Sequence, residues 1–194
     1  MHLTRNPGRA LRAGLLLLLS AGLLLPSLRG AEPRSAGEYQ IKAVFLFNFT
    51  KFIEWPEKSF ASTNAPFVIS IAGEDPLGGI LDEVVRSEIV RGRELVVKRV
   101  RAGEPAPDCQ ILFISRAERD RLDEWVASMS GKPTLLVADS PKALERGVMV
   151  NLVVRDSVRM EVNPAAAQTA GLQISSKLLN IATVVTPARG SSPR

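Results

Sequence analysis

"CQILFISRAERDRLDEWVASMSGKPTLLVAD", Cys109 to Asp139, decides the fold. "ILFI" and "LLVA" are short, nearly uninterrupted apolar runs. Such runs suit strands covered on both faces, as in a parallel sheet, and not half-exposed strands that alternate in polarity. Between them "RAERDRLDEWVASM" places Leu122, Trp125, Val126 and Met129 at helical spacing. Ser115 is the expected N-cap, with Glu118 at the capping-box position. Strand, helix and strand within 31 residues make one βαβ unit with a right-handed crossover.

The same rhythm extends both ways. "FVISIAG" (67–73) is a strand closed by the loop "EDPLGG", and "PLGGILDEVVRSEIV" carries Ile80, Leu81, Val84, Val85 and Glu88/Ile89 at helical spacing. Residues 94–100 form the next strand. After Asp139, "SPKALERG" reads as a short helix, with Pro in its first turn and Gly at its end. "GVMVNLVVRDSVRMEVN" then reads as an antiparallel hairpin turning at Arg155-Asp156-Ser157. Asn163 caps a helix that starts at Pro164, and "ISSKLLNIATVV" supplies a last amphipathic helix. The expected architecture is α/β: a three-layer sandwich around a mostly parallel, Rossmann-like sheet of five or six strands, with a C-terminal antiparallel hairpin.

The opening of the chain specifies its destination. Residues 1–30 hold Arg5, Arg9 and Arg12, no acidic residue, and the apolar run Ala13 to Pro26, the pattern of a signal peptide cut near residues 30–31. The apolar run is shorter than the roughly 20 residues that cross a bilayer. Residues 1–31 carry four Arg and no acid, so the 25 basic and 20 acidic groups of the whole chain become 21 and 20 after cleavage. The net charge of +5 is therefore mostly targeting signal and gives no reason to expect nucleic-acid binding. The expected mature protein is periplasmic, with one domain over 38–185 and a flexible tail over 186–194.

Catalytic signals are sparse. The one histidine, His2, lies in the leader, so the mature chain holds no Ser-His-Asp or Cys-His arrangement. One cysteine, Cys109, and no mature histidine argue against zinc; Cys109 reads as a buried, inert thiol. "GEDPLGG" lacks the phosphate-cradle order. The expectation is a protein that is not an enzyme and has no cofactor or metal.

"EYQIKAVFLFNFTKFIEWP" (38–56) holds Tyr39, Trp55 and four of the seven Phe. On a helix, Ile41, Phe45, Asn48/Phe49 and Phe52 form one stripe, which belongs in the core. The apolar residues cover more than half the circumference, so part of this helix is expected to meet a partner subunit. This stretch, with "ISIAGEDPLGG", "CQILFIS", "LLVADS" and "EVNPAAAQTAGLQISSKLLNIA", resembles the YfiR family over residues 38–183. The chain departs from that family's pattern in having one cysteine where the best-known members carry disulfides.

The resemblance implies a periplasmic repressor that binds the periplasmic domain of an inner-membrane diguanylate cyclase or related sensor protein, and so controls cyclic-di-GMP output and biofilm behaviour. A homodimer and a possible small ligand complete the expected partners. The candidate contact residues are Phe45, Phe49 and Trp55 on the first helix, and Arg159, Asn163, Ser175, Ser176 and Lys177 near the end of the chain. Asn163 and the serines also suit helix caps, and Arg159 and Lys177 suit a solvated face. The alternative reading is a periplasmic small-ligand domain feeding a sensor kinase or transport system, with its pocket at the carboxyl ends of the strands, where Gly73–Gly78 and Ser115 are the loops to watch.

Overall fold

Three interior strands, β2 (Phe67–Ala72), β5 (Ile111–Ile114) and β6 (Leu135–Ala138), are buried at every position. Their unbroken apolar character is the cause, since each residue finds a covering layer whichever way it points. They pair in parallel, with Ile71 beside Phe113 and Phe113 beside Val137. The computed structural model describes residues 33–101, 103–105 and 107–186. The signal-peptide expectation, and nearly all of the tail expectation, lie outside these residues.

Around that centre the sheet of the described residues has eight strands, not the expected five or six, because the two-residue edge strands β3 (Ile89–Val90) and β10 (Thr183–Val184) also pair. With β4 (Arg93–Val100), β7 (Val150–Val154) and β8 (Val158–Val162) the order is β10-β8-β7-β6-β5-β2-β4-β3. β4 (Arg93–Val100) flanks β2 in parallel, and β3 (Ile89–Val90) returns antiparallel on its outer edge. The β3–β4 turn is Arg91-Gly92, both with positive φ (52° and 77°), as a tight two-residue hairpin demands. On the other side β7 (Val150–Val154) runs parallel to β6 and forms the expected hairpin with β8 (Val158–Val162). β10 (Thr183–Val184) adds a last parallel edge beside β8.

The helices divide between two faces. α2 (Gly79–Val85) joins β2 to β4, stepping one way along the sheet, and α3 (Leu122–Ser128) joins β5 to β6, stepping the other way. Right-handed crossovers in opposite directions fall on opposite faces. α1 (Pro33–Phe52) packs beside α2, and α3 packs against the 3₁₀ turn Ala143–Arg146, which gives the three layers. A second, two-stranded sheet pairs β1 (Ile53–Glu54) with β9 (Gln173–Ile174) and ties the end of α1 to the C-terminal segment.

Several elements differ from their sequence expectation. α2 stops at Val85, and Ile89 turns outward into β3, because Ser87 and Arg91 adopt positive φ and reverse the chain. "ALER" (Ala143–Arg146) winds as 3₁₀, not α, after Lys142 at φ 58°. The last amphipathic helix shrinks to α5 (Ser176–Leu179), since β-branched Thr183 and Val184 extend to pair with Glu161 and Val162. α4 (Pro164–Thr169) forms as expected, with the Asn163 side chain accepting from the Ala166 amide at 3.1 Å.

One charged residue stitches the β2–α2 loop. Arg99 on β4 donates to Asp75 at 2.8 Å, to Asp82 at 2.5 Å and to the Gly78 carbonyl at 3.0 Å. Its hydrogen bond holds the Asp82 carboxyl below its ordinary range. A depressed carboxylate stabilises the fold above its unfolded value, and the contribution is lost as pH falls through the folded value. Thermal midpoints followed from pH 6 to pH 2 should therefore drop below about pH 4, and Asp82→Asn should flatten that part of the curve. An unchanged acid limb in Asp82→Asn would count against the clamp.

Candidate functional site

α1 presents Lys42, Ala43, Leu46, Phe49 and Thr50 to the sheet, and Ile53, the first residue of β1, continues the same face; all are fully buried. This spacing follows one helical face. The face differs from the expected stripe: Ile41 is 45% exposed and Val44 46%, Phe45 and Phe52 are half-buried, and only Phe49 lies in the core. The cause is Lys42. Its Nζ lies 2.6 Å from Asp139 Oδ2, with both side chains fully buried, and also meets Glu38 one turn earlier. The ammonium sits 4.6 Å from the centre of the Tyr39 ring. Rotating α1 to bury Ile41 would withdraw Lys42 from Asp139.

Asp139 directly follows β6, so the pair sits at the carboxyl edge of the parallel strands. Burial, with the Asp139 and Glu38 carboxylates nearby, pushes the Tyr39 hydroxyl above its ordinary pKa. Neither Lys42 nor Asp139 was a candidate from sequence. A signal was present, however: Glu38 and Lys42 stand at i and i+4, and Lys42 falls in line with Leu46, Phe49 and Ile53.

The outward turn of Ile41 creates a surface feature. Ile41, Glu38, Val154, Val158 and the hairpin turn 155–157 line a groove of about 700 Å³ between α1 and the β7–β8 hairpin. Val154 is itself 43% exposed. Arg159 flanks the other side of the same turn, where Arg155 and Asp156 also line a smaller cavity of about 280 Å³.

The sequence candidates separate on this framework. Phe49 is fully buried and stacks on Phe45 with ring centres 6.3 Å apart, so it is a core residue and cannot face a partner. Trp55 is tied into the opposite edge of the sheet: its Nε1–H donates to the Gln110 carbonyl at 3.0 Å and its ring meets Phe67 edge-on. Asn163 and Ser175 cap α4 and α5, with Ser175 Oγ accepting from the Leu178 amide at 3.3 Å. Ser176 and Lys177 are exposed in the first turn of α5. Arg159 and Asn163 stand four residues apart on an extended strand, about 13 Å. They are therefore not one patch; Arg159 lines the smaller cavity on the other side of the hairpin turn.

The crevice at the carboxyl ends of the strands, expected as the ligand site, is filled by the protein. Ser115 does not cap through its side chain, and Glu118 does not reach back to form a capping box. Residues Arg116–Arg121 wind as 3₁₀ and turn Glu118 inward against Gly73. Gly73 has φ +76°, and a Cβ there would lie 2.3 Å from the Glu118 carboxyl. Trp125 Nε1–H donates to Glu118 Oε2 at 2.9 Å. Cys109 is 5% exposed, and burial pushes its thiol up to about 11.

Two expectations follow. Removing one member of the Lys42–Asp139 pair strands the other charge in the core, so Lys42→Met or Asp139→Leu alone should cost about 3–5 kcal/mol in urea unfolding. The double variant should recover most of that loss; a double variant as unstable as the sum of the two would refute the coupling. Ellman's reagent should leave Cys109 unmodified in the native protein and modify it in urea, because the buried thiol is not ionised at neutral pH.

No curated protein matches the chain. A family model described as YfiR/HmsC-like matches residues 39–183, from α1 through the first residue of β10, and so takes in the buried ion pair, the groove and the filled crevice. The chain belongs to the YfiR/HmsC-like family.

Proposed function

We propose that this protein is a non-enzymatic periplasmic regulator. It binds and represses the periplasmic sensor domain of a membrane-bound diguanylate cyclase or a related signalling protein, and so lowers cyclic-di-GMP output. The observation that carries this reading is the family match across nearly the whole described fold. The family is a regulatory and not a catalytic one. No helix among the described residues is long and apolar enough to cross a membrane.

The docking surface of this reading is the α1–hairpin groove. Apolar Ile41 and Val154 are exposed in it, and charged Arg155, Asp156 and Arg159 lie at the turn beside it. An apolar centre with a charged margin is the usual anatomy of a protein interface. Apolar contacts at the centre govern how long a complex lasts, whereas charges at the margin govern encounter rate and salt dependence.

A pull-down of the mature protein with detergent-solubilised membranes should capture a membrane diguanylate cyclase. Ile41→Asp with Val154→Asp should weaken that capture at least tenfold, about 1.4 kcal/mol, with the melting temperature nearly unchanged. Arg155→Glu with Arg159→Glu should mainly slow association and alter its salt dependence. Full binding by the Ile41/Val154 variant would move the interface off α1, and failure to capture any signalling enzyme would overturn the function. Sizing chromatography of the same variants separates self-association as a homodimer from docking.

A further inference from the structure

The sheet changes its direction of winding between β2 and β5: from β2 the chain steps outward to β4, then crosses back to β5 and continues to β6 and β7. In open α/β sheets that reversal leaves a crevice outside the carboxyl ends of the two strands, and ligands bind there. Here the loops bordering it begin at Gly73 and Ser115, and between them lies the Glu118 carboxylate. Glu118 is 9% exposed and touches the Gly73 backbone, where any side chain would collide with it. The Trp125 indole N–H donates to it at 2.9 Å, and Arg121 stands 3.7 Å away as the nearby cation. Ser115 Oγ, on a residue 1% exposed at the base of the same loop, has no hydrogen-bond partner.

The segment that delivers Glu118 is unusual in its winding. Residues Arg116–Arg121 form six consecutive residues of 3₁₀ helix leading straight into α3. Runs of that winding beyond three or four residues are uncommon, because the hydrogen-bond geometry is poorer than in an α-helix. Each residue of 3₁₀ helix turns about 20° further than an α-helical one. Rewinding from Leu122 back to Glu118 as α-helix would therefore swing Glu118 by about 80° around the axis and withdraw it from Gly73.

We propose that the crevice between β2 and β5 is a carboxylate-binding site that the protein's own Glu118 occupies, and that a small-molecule carboxylate competes with Glu118 for it. Gly73 admits the group without a Cβ, Trp125 supplies the hydrogen bond and Arg121 the charge. The 3₁₀ segment is the strap that opens or closes the site. This inference goes beyond the docking reading and rests on different residues.

The test uses the two indole N–H resonances of the mature protein, with that of Trp125 identified by Trp125→Phe. Sodium acetate is titrated into Glu118→Ala and wild type at constant ionic strength, with sodium chloride as control. In Glu118→Ala the Trp125 resonance should shift saturably and the melting temperature should rise. Wild type should need at least about tenfold more acetate, because a tethered carboxylate competes at an effective concentration in the millimolar range or above. A folded Glu118→Ala that shows no saturable response, or the same response as wild type, overturns the proposal. Should Glu118→Ala not fold, Glu118→Gln keeps the volume and removes the charge; it should respond at lower acetate than wild type, and an equal response refutes the competition. Hydrogen exchange of amides 116–121 in wild type supplies a further check: the strap should open without global unfolding, and exchange through global unfolding alone would rule it out.

Discussion

The buried ammonium of Lys42 sets the position of everything on the first face of the sheet. A charge without access to water costs several kcal/mol unless a counter-charge meets it in good geometry. Lys42 has two, Asp139 at 2.6 Å and Glu38 one helical turn away. Only one rotation of α1 about its axis satisfies that demand. The same rotation drives Leu46, Phe49 and Ile53 into the core and leaves Ile41 and Val44 in solvent. The exposed apolar surface of α1 is thus a by-product of where one cation must go.

Both ends of the sheet are held by polar side chains that reach between elements. At the amino end the Gln110 side chain accepts from the Val68 amide at 2.8 Å, while its backbone carbonyl receives Trp55. At the carboxyl end the protein's own carboxylates, Glu118 and Asp139, take the places where a doubly wound fold usually meets its ligand. The filled crevice and the exposed groove are two consequences of one arrangement: Glu118 and the Lys42–Asp139 pair are held inside, and Ile41 and Val154 are left outside.

The strands and their parallel pairing were legible because burial on both faces leaves an unbroken apolar run, a local signal in "FVISIA", "ILFI" and "LLVA". The hairpin and the Asn163 cap were legible for the same reason, since turn and cap chemistry act within a few residues. The capping box at Ser115 and Glu118 does not form, and its pattern is identical whether Glu118 turns back to the helix start or inward to Gly73. Phe49 lies in the core and Trp55 is tied to the sheet, and residue type does not distinguish a core aromatic from a surface one.

By itself the sequence determined the sandwich of helices around a mostly parallel sheet, the order of its longer strands along the chain, and membership of a family. Each of these rests on periodicity, turn residues or motifs read along the chain. The tertiary structure alone decided which side of α1 faces solvent, which loop fills the crevice, and that Arg159 lines a cavity on the far side of the hairpin turn, away from Asn163. Those choices turn on pairs such as Lys42 and Asp139, separated by 97 residues. A charge's preference for burial or exposure is set by a partner that no local pattern reveals.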